Sequence, residues 1–137
     1  EFVAALESMT GRPVIHTIKD AEPIGPKKLL DVIVVAPCTG NTLGKLACGI
    51  TDTSVTMAVK AHLRNRRPVV LALSTNDGLA ASSRNIGTLL NTKNIYFVPY
   101  SQDDPAGKPT SLLANMDKIL QTTTAALKGV QLQPIIE

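Results

Sequence analysis

The sequence predicts an α/β fold: a three-layer, doubly wound parallel sheet with helices on both faces. Two apolar runs, Asp31–Ala36 and Pro68–Leu73, show none of the apolar–polar alternation of a half-exposed strand. Strands of this kind are buried on both faces, as in a parallel sheet. A helical pattern follows each run, and strands that alternate with helices are typical of doubly wound sheets.

The length and composition fit a single globular domain over residues 1–137. Hydrophobic residues make up 44% of the chain and charged residues 18%, which excludes a disordered chain. The net charge is only +3, and two Phe, two Tyr and no Trp disfavour nucleic-acid binding. No apolar run approaches the roughly 20 residues that span a bilayer. Two cysteines without metal-ligand spacing predict no disulfide framework and no metal site, and they favour a reducing, cytosolic setting.

The chain enters directly into a helical pattern rather than a strand. Residues Phe2–Thr10 place Phe2, Val3, Leu6 and Met9 on one face of a helix, which predicts a buried stripe. An α/β domain usually begins with a strand, and the first residue here is not Met. We therefore expect a chain that lacks its first βα unit, which the intact mass of the native protein would test.

The remaining elements follow in order along the chain. They are a strand candidate at Pro13–Ile18, a loop at Lys19–Lys28 with at most one helical turn, the strand Asp31–Ala36 ended by Pro37, a helix at about Asn41–Cys48 closed by Gly49, a helix at about Thr53–Asn65, the strand Pro68–Leu73, a helix face at Leu79, Ile86 and Leu90, a strand at Ile95–Val98, a flexible loop at Ser101–Pro109, and a helix at about Ser111–Leu127 ended by Gly129. Thr51 or Asp52 is the predicted N-cap of the second of the two central helices.

Three polar loops gather at one edge of the predicted sheet. In doubly wound sheets, ligands bind beyond the carboxyl ends of the strands. The loops that follow the strands are Pro37–Thr42, Ser74–Gly78 and Tyr100–Pro109. The sequence therefore predicts one binding site at this edge.

The first of these loops has the composition of an anion site. Gly40 allows a close backbone approach, and Thr39, Asn41 and Thr42 supply polar groups ahead of a helix whose first N–H groups are free. An ordinary strand-to-helix loop with Asn41 or Thr42 as N-cap explains the same residues equally well. The stretch Gly40–Leu46 is one residue short of a P-loop and lacks Ser or Thr after its lysine, and the chain has no G-x-G-x-x-G. A Walker ATPase and a standard dinucleotide site are both disfavoured.

Few side chains offer catalytic chemistry. Cys38 stands where a helix N-terminus lowers the pKa of a thiol, although a packed thiol is the more common outcome. His16 and His62 are candidate bases that no spacing places beside it. Asn76 in the second loop either contacts a ligand or holds its turn. Solvated charge is the better explanation of the remaining clusters, which are Asp103–Asp104 and, at a helix end, Lys60, Arg64, Arg66 and Arg67.

The stretch Ala36–Thr53 resembles the signature APASANT-x-x-K-x-A-x-G-x-A-D of the flavoprotein family that includes FMN-dependent, homo-oligomeric cysteine decarboxylases. The matching positions are Pro37, Asn41, Thr42, Lys45, Ala47, Gly49 and Asp52. The strand and turn at Pro68–Asn76 are similar to the family's second motif, Pro-x-Met-Asn. The resemblance covers the whole chain in order, and it implies a Rossmann-like flavoprotein fold preceded by a further βα unit.

The resemblance also implies roles for individual residues. Cofactor contacts would fall on Cys38, Thr39, Gly40, Asn41, Thr42, Ser74 and Thr75, and the substrate contact of the family on Asn76, the candidate catalytic residue. Cys38 and Gly40 stand where the family has Ala. Leu73 or Ser74 stands where its second motif has Pro, and Thr75 stands where that motif has Met. The family's catalytic His belongs to the early part of the fold.

Within the family, the motifs are most like a branch that helps to form dipicolinic acid from a dihydrodipicolinate precursor in spore-forming bacteria. This implies FMN as a cofactor, NADP brought by an NAD(P)-dependent dehydrogenase partner, and self-association into trimers or multiples of them. Three functions stay open. They are an oxidoreductase component whose loops hold a flavin phosphate or a dicarboxylate, a non-catalytic scaffold for the dehydrogenase, and an FMN-dependent decarboxylase.

Overall fold

The structure is a computed structural model that describes all residues, 1–137. Its strands are β1 (Ile33–Thr39), β2 (Val69–Thr75), β3 (Ile95–Phe97), β4 (Tyr100–Ser101) and β5 (Leu112–Ala114). Its helices are α1 (Phe2–Thr10), α2 (Ile18–Ala21), α3 (Gly40–Cys48), α4 (Ser54–Arg64), α5 (Ser83–Leu90) and α6 (Ile119–Leu127). Two short 3-10 turns, Glu22–Ile24 and Met116–Lys118, adjoin α2 and α6.

β2 is the central strand of one mixed sheet. β1 pairs with it in parallel, with Ile33 opposite Val69 and Thr39 opposite Ser74. β3 pairs in parallel with the first half of β2, β5 runs antiparallel to its end, and β4 pairs antiparallel with β5. The predicted parallel sheet is therefore confirmed for three strands, and two short antiparallel strands that the sequence did not predict extend it. β4 and β5 are joined by a loop, whereas parallel neighbours need a longer crossover connection.

Helices cover both faces of the sheet. α3 packs against α4 and α5, and α6 packs separately against β2 and β3. The core lies between these layers and includes all of Val69–Leu73, together with Leu43 and Phe97. The apolar run without alternation predicts this burial of β2. The three-layer α/β fold is confirmed.

β1 differs from its prediction in two ways. It continues through Pro37 to Thr39 instead of ending at Pro37, with a break in the pairing register between Val35 and Cys38. Proline is tolerated at a bulge in an edge strand, where its missing N–H takes no hydrogen bond from the ladder. Only Val35 and Cys38 are buried in β1, because the strand lies at the edge of the sheet. The predicted burial of both faces is wrong for this strand.

The strand predicted at Pro13–Ile18 is wrong. The segment is irregular up to α2, whose N-cap Thr17 accepts a hydrogen bond from the amide N–H of Asp20 at 3.1 Å. Strand propensity becomes a strand only where a partner offers a ladder, and no strand pairs with this segment.

The predicted helix Ser111–Leu127 is right only in its second half. Its first residues form β5, and α6 begins at Ile119. The side chain of Asn115 separates the two, because its oxygen accepts a hydrogen bond from the amide N–H of Asp117 at 3.2 Å. Pairing with β2 and β4 outweighs the helical periodicity of the leucines before it.

α3 and α4 begin within a residue of their predicted positions, but their caps differ. The N-cap of α3 is Thr39, whose hydroxyl accepts a hydrogen bond from the amide N–H of Thr42 at 3.3 Å. The N-cap of α4 is Thr53, which forms a reciprocal capping box with Thr56. Gly49 ends α3 in the left-handed conformation, as predicted.

α1 has its predicted bounds, but its apolar face is not buried. Phe2, Val3, Leu6 and Met9 are all exposed, Phe2 at 87% and Met9 at 83%. No residue of α1 is buried. The burial expected from the helical periodicity is therefore wrong within this chain, since nothing in the chain packs against that face.

Candidate functional site

The first two predicted loops meet at the carboxyl edge of the sheet. Thr39 at the end of β1 lies opposite Ser74 at the end of β2, so the residues that follow them lie side by side. Between them is a cleft of about 600 Å³, here called the polar cleft. Five of the eight predicted site residues line it, namely Gly40, Asn41, Ser74, Thr75 and Asn76.

The other three predicted residues, Cys38, Thr39 and Thr42, do not line the polar cleft. Cys38 is completely buried, and Thr39 caps α3 while its Oγ1 donates a hydrogen bond to Oγ1 of Thr42 at 3.3 Å. These residues fix the start of α3, whose first turn carries Asn41 to the cleft. Ligand binding by their side chains stays a prediction.

The third predicted loop, Tyr100–Pro109, does not line the polar cleft, and the residue after it, Thr110, contacts the second loop. Oγ1 of Thr110 donates a hydrogen bond to the carbonyl oxygen of Asn76 at 2.6 Å, and the amide N–H of Leu79 donates to the Thr110 carbonyl oxygen at 2.9 Å. Thr110 therefore holds the turn after β2 in place.

Asp77 is the charged hydrogen-bond acceptor of the polar cleft. It lies in the predicted loop Ser74–Gly78, although no sequence pattern assigned it a role of its own. Its Oδ1 accepts hydrogen bonds from Oγ1 of Thr75 at 2.5 Å and from Oγ of Ser82 at 2.7 Å. These bonds hold the pKa of the Asp77 carboxyl below its usual range. The cleft thus carries a fixed negative charge at neutral pH, and the same hydroxyls tie β2 to the start of α5.

Gly40 makes room for this hydrogen-bond network. A Cβ on Gly40 would lie 2.6 Å from Oγ1 of Thr75 and 3.3 Å from Oδ1 of Asp77. Gly40 and Thr75 are two of the positions at which the chain departs from the flavoprotein motifs. The two departures match each other, because an alanine at Gly40 would clash with the hydroxyl of Thr75.

Arg84 and Asn85 also line the polar cleft and were missed. Both belong to the first turn of α5. Arg84 is exposed, and the three ion pairs of the chain involve other residues. Its guanidinium is therefore free to bind an anion. The position of Arg84 along the chain indicates its role, because the helix that follows β2 starts at the edge of the sheet where ligands bind.

Neither a thiolate nor an imidazole serves the polar cleft. Burial raises the pKa of Cys38 to about 12, so the thiol stays protonated and the packed-thiol interpretation fits. His62 is buried, its Nε2–H donates to the carbonyl oxygen of Pro68 at 3.0 Å, and desolvation lowers its pKa. His16 is exposed, with Nδ1 at 3.2 Å from the carbonyl oxygen of Val14.

Two further observations describe what the chain offers to ligands and bilayers. No group of three His, Cys, Asp or Glu side chains comes together in a way that could hold a metal ion. The longest helix, α4, has 11 residues, and no helix has the length and apolar character that crossing a bilayer requires.

The fold and the polar cleft agree with the class of protein that comparison with known families identifies. The model of the flavoprotein family matches residues 2–128 of the chain. The chain belongs to this family. The resemblance inferred from the two motifs is therefore confirmed.

The similar proteins narrow this class. The chain is 52% identical to the B component of the dipicolinate synthase of Bacillus subtilis over 136 residues, which are 99% of this chain and 68% of that protein. The crystal structure of the same component of dipicolinate synthase from Bacillus halodurans matches with a TM-score of 0.97 and 46% identity, over 99% of this chain and 70% of that one. This similarity confirms the branch of the family to which the motifs pointed.

A more distant structure shares the fold alone. The FMN-dependent cysteine decarboxylase SpaF matches with a TM-score of 0.64 and 24% identity, over 93% of this chain and 71% of that one. The prediction that a βα unit precedes this chain stays a prediction.

Proposed function

We propose that this chain acts as the flavoprotein-type component of a dipicolinate synthase, in the formation of dipicolinic acid from a dihydrodipicolinate precursor during sporulation. The observation that carries the proposal is the similarity to the B component of dipicolinate synthase along 99% of the chain. The polar cleft supplies a site for it, because its lining residues include members of both flavoprotein motifs.

The polar cleft binds an anion on the side of Arg84. The guanidinium fork matches a phosphate or a carboxylate, and the amides of Asn41, Asn76 and Asn85 add donors. The ionised carboxylate of Asp77 repels an anion, and it accepts a hydrogen bond from a hydroxyl group instead. A flavin nucleotide, with a polyol chain that ends in a phosphate, satisfies both sides, whereas a dicarboxylate satisfies only the side of Arg84.

The cleft fits the polar part of FMN and not its ring. Of the ten residues around the cleft, only Ala81 is apolar. Ring-shaped ligands are usually enclosed by apolar and aromatic side chains, so the ring would need walls from outside this cleft. Asn41, Asn76 and Arg84 would hold the phosphate end, and a bound flavin would supply hydride chemistry.

Proton transfer and the second redox group fall to a partner. Asp77 and Arg84 are the charged side chains of the cleft, and neither exchanges a proton near neutral pH, since the first has a lowered pKa and arginine is always charged. The partner of this proposal is the NAD(P)-dependent dehydrogenase that forms the A component of dipicolinate synthase. That dehydrogenase would bring NADP.

Flavin titration of the full-length protein tests the site. We expect FMN added to the purified protein to bind saturably, measured by visible absorption and flavin fluorescence. Arg84→Gln and Asn41→Ala should each weaken binding by about tenfold, because each removes one hydrogen bond to the phosphate. Arg66→Gln, at an exposed position outside the cleft, is the matched control. If FMN does not bind, the flavin part of the proposal is wrong. If FMN binds, dipicolinate is added as a competitor, and displacement of FMN would show that the polar cleft also binds a dicarboxylate.

A non-catalytic scaffold is the second candidate, and it is favoured by the lack of an acid–base pair in the polar cleft. The assay is dipicolinate formation by the chain reconstituted with its dehydrogenase partner. If Asn41→Ala and Asn76→Ala leave full activity, the scaffold is supported, because losing contacts at a working site typically costs about tenfold or more. A decarboxylase would instead release CO₂ from a cysteinyl peptide without the partner.

A further inference from the structure

A second cleft, about 370 Å³ in volume, lies between α3, α4 and α5 and is called here the helix cleft. It is lined by the second half of α3, one face of α4 and the end of α5. The polar cleft lies at the starts of α3 and α5, and no residue lines both clefts. The function proposed above uses no residue of the helix cleft.

The inside of the helix cleft is apolar. Val59 and Leu89 have exposures of only 1% and 2%. The other apolar lining residues are Leu46, Ala47, Ile50, Leu63 and Ile95. Clefts that bind small molecules have volumes of about 300 to 1,000 Å³ and are lined mainly by such side chains. The helix cleft therefore suits the apolar body of a small ligand.

Two cations of α4 stand at the helix cleft without ion pairs. Lys60 and Arg64 are four residues apart, so they project from the same face of α4. Both are exposed, and the ion pairs of the chain involve other cations. Lys45, also at this cleft, is paired with Asp52 at 2.9 Å. Glu22 lines a neighbouring cleft with the two free cations but forms no ion pair with either.

Several hydroxyls of the helix cleft are already bonded. Thr88 and Thr92 donate to helix carbonyl oxygens at 2.9 Å, and Thr56 belongs to the capping box of α4. The strongest free polar groups of the cleft are therefore the two cations. Ammonium and guanidinium groups donate hydrogen bonds and accept none, so their ligand group is an acceptor with negative charge.

We infer that the helix cleft binds a small amphipathic anion, a carboxylate or sulfonate on an aliphatic or aromatic body, with the charged group between Lys60 and Arg64. Cations near a helix C-terminus also complement the helix dipole, which accounts for Arg64, the last residue of α4. The dipole does not account for the apolar cleft beside the two cations. Their combination is what selects an amphipathic ligand.

Octanoate is the probe for this site. Titrated into the full-length ¹⁵N-labelled protein, it should cause saturable amide shifts at residues 45–51, 59–64 and 88–95, and none at residues 40–42 and 74–77. Octanol, which has the same chain length without the charge, should bind more weakly. The titration is independent of FMN, so its failure and that of the proposed function are distinguishable.

Charge variants test the role of the cations. Lys60→Gln and Arg64→Gln should each weaken octanoate binding about two- to fivefold, as expected for exposed ion pairs, and leave octanol binding unchanged. Arg66→Gln, two residues beyond the end of the cleft-lining part of α4, is the matched control. Ala47→Phe fills the cleft and should block both ligands, and the charge variants still decide the outcome if that protein does not fold.

Three results would overturn the inference. The first is an absence of saturable shifts, and the second is equal affinity for octanol and octanoate. The third is a set of shifts at the same residues when the protein concentration alone is raised, because a second chain would then occupy the helix cleft.

Discussion

In the site that we propose, the carboxylate of Asp77 would decide which part of a ligand lies beside it and which part lies beside Arg84. Its Oδ1 is bonded to Thr75 and Ser82, so the group is both ionised and fixed in place. Gly40 leaves the space that this arrangement needs. In the proposed site, a fixed anion of this kind would orient a ligand by repelling its charged end, which would then face Arg84.

Gly40→Ala tests the packing of this network. The new methyl group would lie 2.6 Å from Oγ1 of Thr75, so we expect the free energy of unfolding to fall by about 1–3 kcal/mol. Thr75→Ala removes the obstructing hydroxyl, so Gly40→Ala should cost less in that background. Urea denaturation of the four proteins measures the coupling. Strictly additive costs would show that the two residues do not meet.

The two cysteines differ in reactivity by their burial. At pH 8 we expect iodoacetamide to modify Cys48, which is exposed, and to leave Cys38 unmodified, because burial raises the pKa of Cys38 to about 12. Peptide mass spectrometry locates the label. In denaturant both should react. Rapid labelling of Cys38 in the folded protein would contradict its protonated, packed state.

At the scale of elements, the burial of a strand between two layers of helices can be predicted from sequence. The pairing of a strand with a partner distant in the chain cannot. β2 was predicted because five consecutive buried residues, Val69–Leu73, leave a run without alternation. β5 was missed because Leu112–Ala114 has helical periodicity and becomes a strand only through its ladders with β2 and β4. Periodicity reports the face that a segment buries, whereas the partner decides its conformation.

The candidate site divides in the same way. Residues directly after β1 and β2 were predicted, because parallel neighbours bring their carboxyl ends together. Arg84 lies further along the chain and reaches the polar cleft only because a turn after Asp77 brings the start of α5 back to it. The amide N–H groups of Ala80 and Ser82 both donate to the carbonyl oxygen of Asp77, at 2.9 and 3.2 Å, and so fold the chain back to the edge of the sheet. No local sequence motif predicts a turn of this kind.

His62 links the end of α4 to the start of β2 and makes stability depend on pH. Its folded pKa is lowered, so the unfolded chain binds the proton more tightly, and stability falls as pH drops below the unfolded pKa of about 6.5. His62→Gln should flatten this dependence between pH 7 and 5, where one group contributes at most about 1.4 kcal/mol per pH unit. Urea midpoints measured across this range test it, with the exposed His16→Gln as the control. An unchanged slope in His62→Gln would contradict the assignment.

At the scale of the whole molecule, α1 is a helix that buries no residue against the rest of the chain. Its apolar residues, Phe2, Val3, Leu6 and Met9, are exposed, and a nine-residue helix has little stability without packing. The resemblance to homo-oligomeric flavoproteins predicts self-association, and α1 has the apolar surface that association would bury.

Leu6→Glu combined with Met9→Glu tests this prediction. We expect the protein to be an oligomer at micromolar concentration and the variant to dissociate at least about tenfold more readily, because burial of each such side chain is worth about 1.5–3 kcal/mol. Light scattering after size-exclusion chromatography measures the mass. Ser8→Glu adds charge to another face of α1 and is the control. A protein that is monomeric throughout would contradict the prediction.

Pro37 shapes how the outer edge of β1 meets other molecules. An unpaired strand edge presents N–H and C=O groups as a template on which strands of other chains add, and such addition seeds fibrils. On β1 the template is short, because the register breaks between Val35 and Cys38 and Pro37 has no N–H. The proline ring that suggests the end of a strand therefore leaves the outer edge of β1 with fewer N–H groups on which another strand could pair.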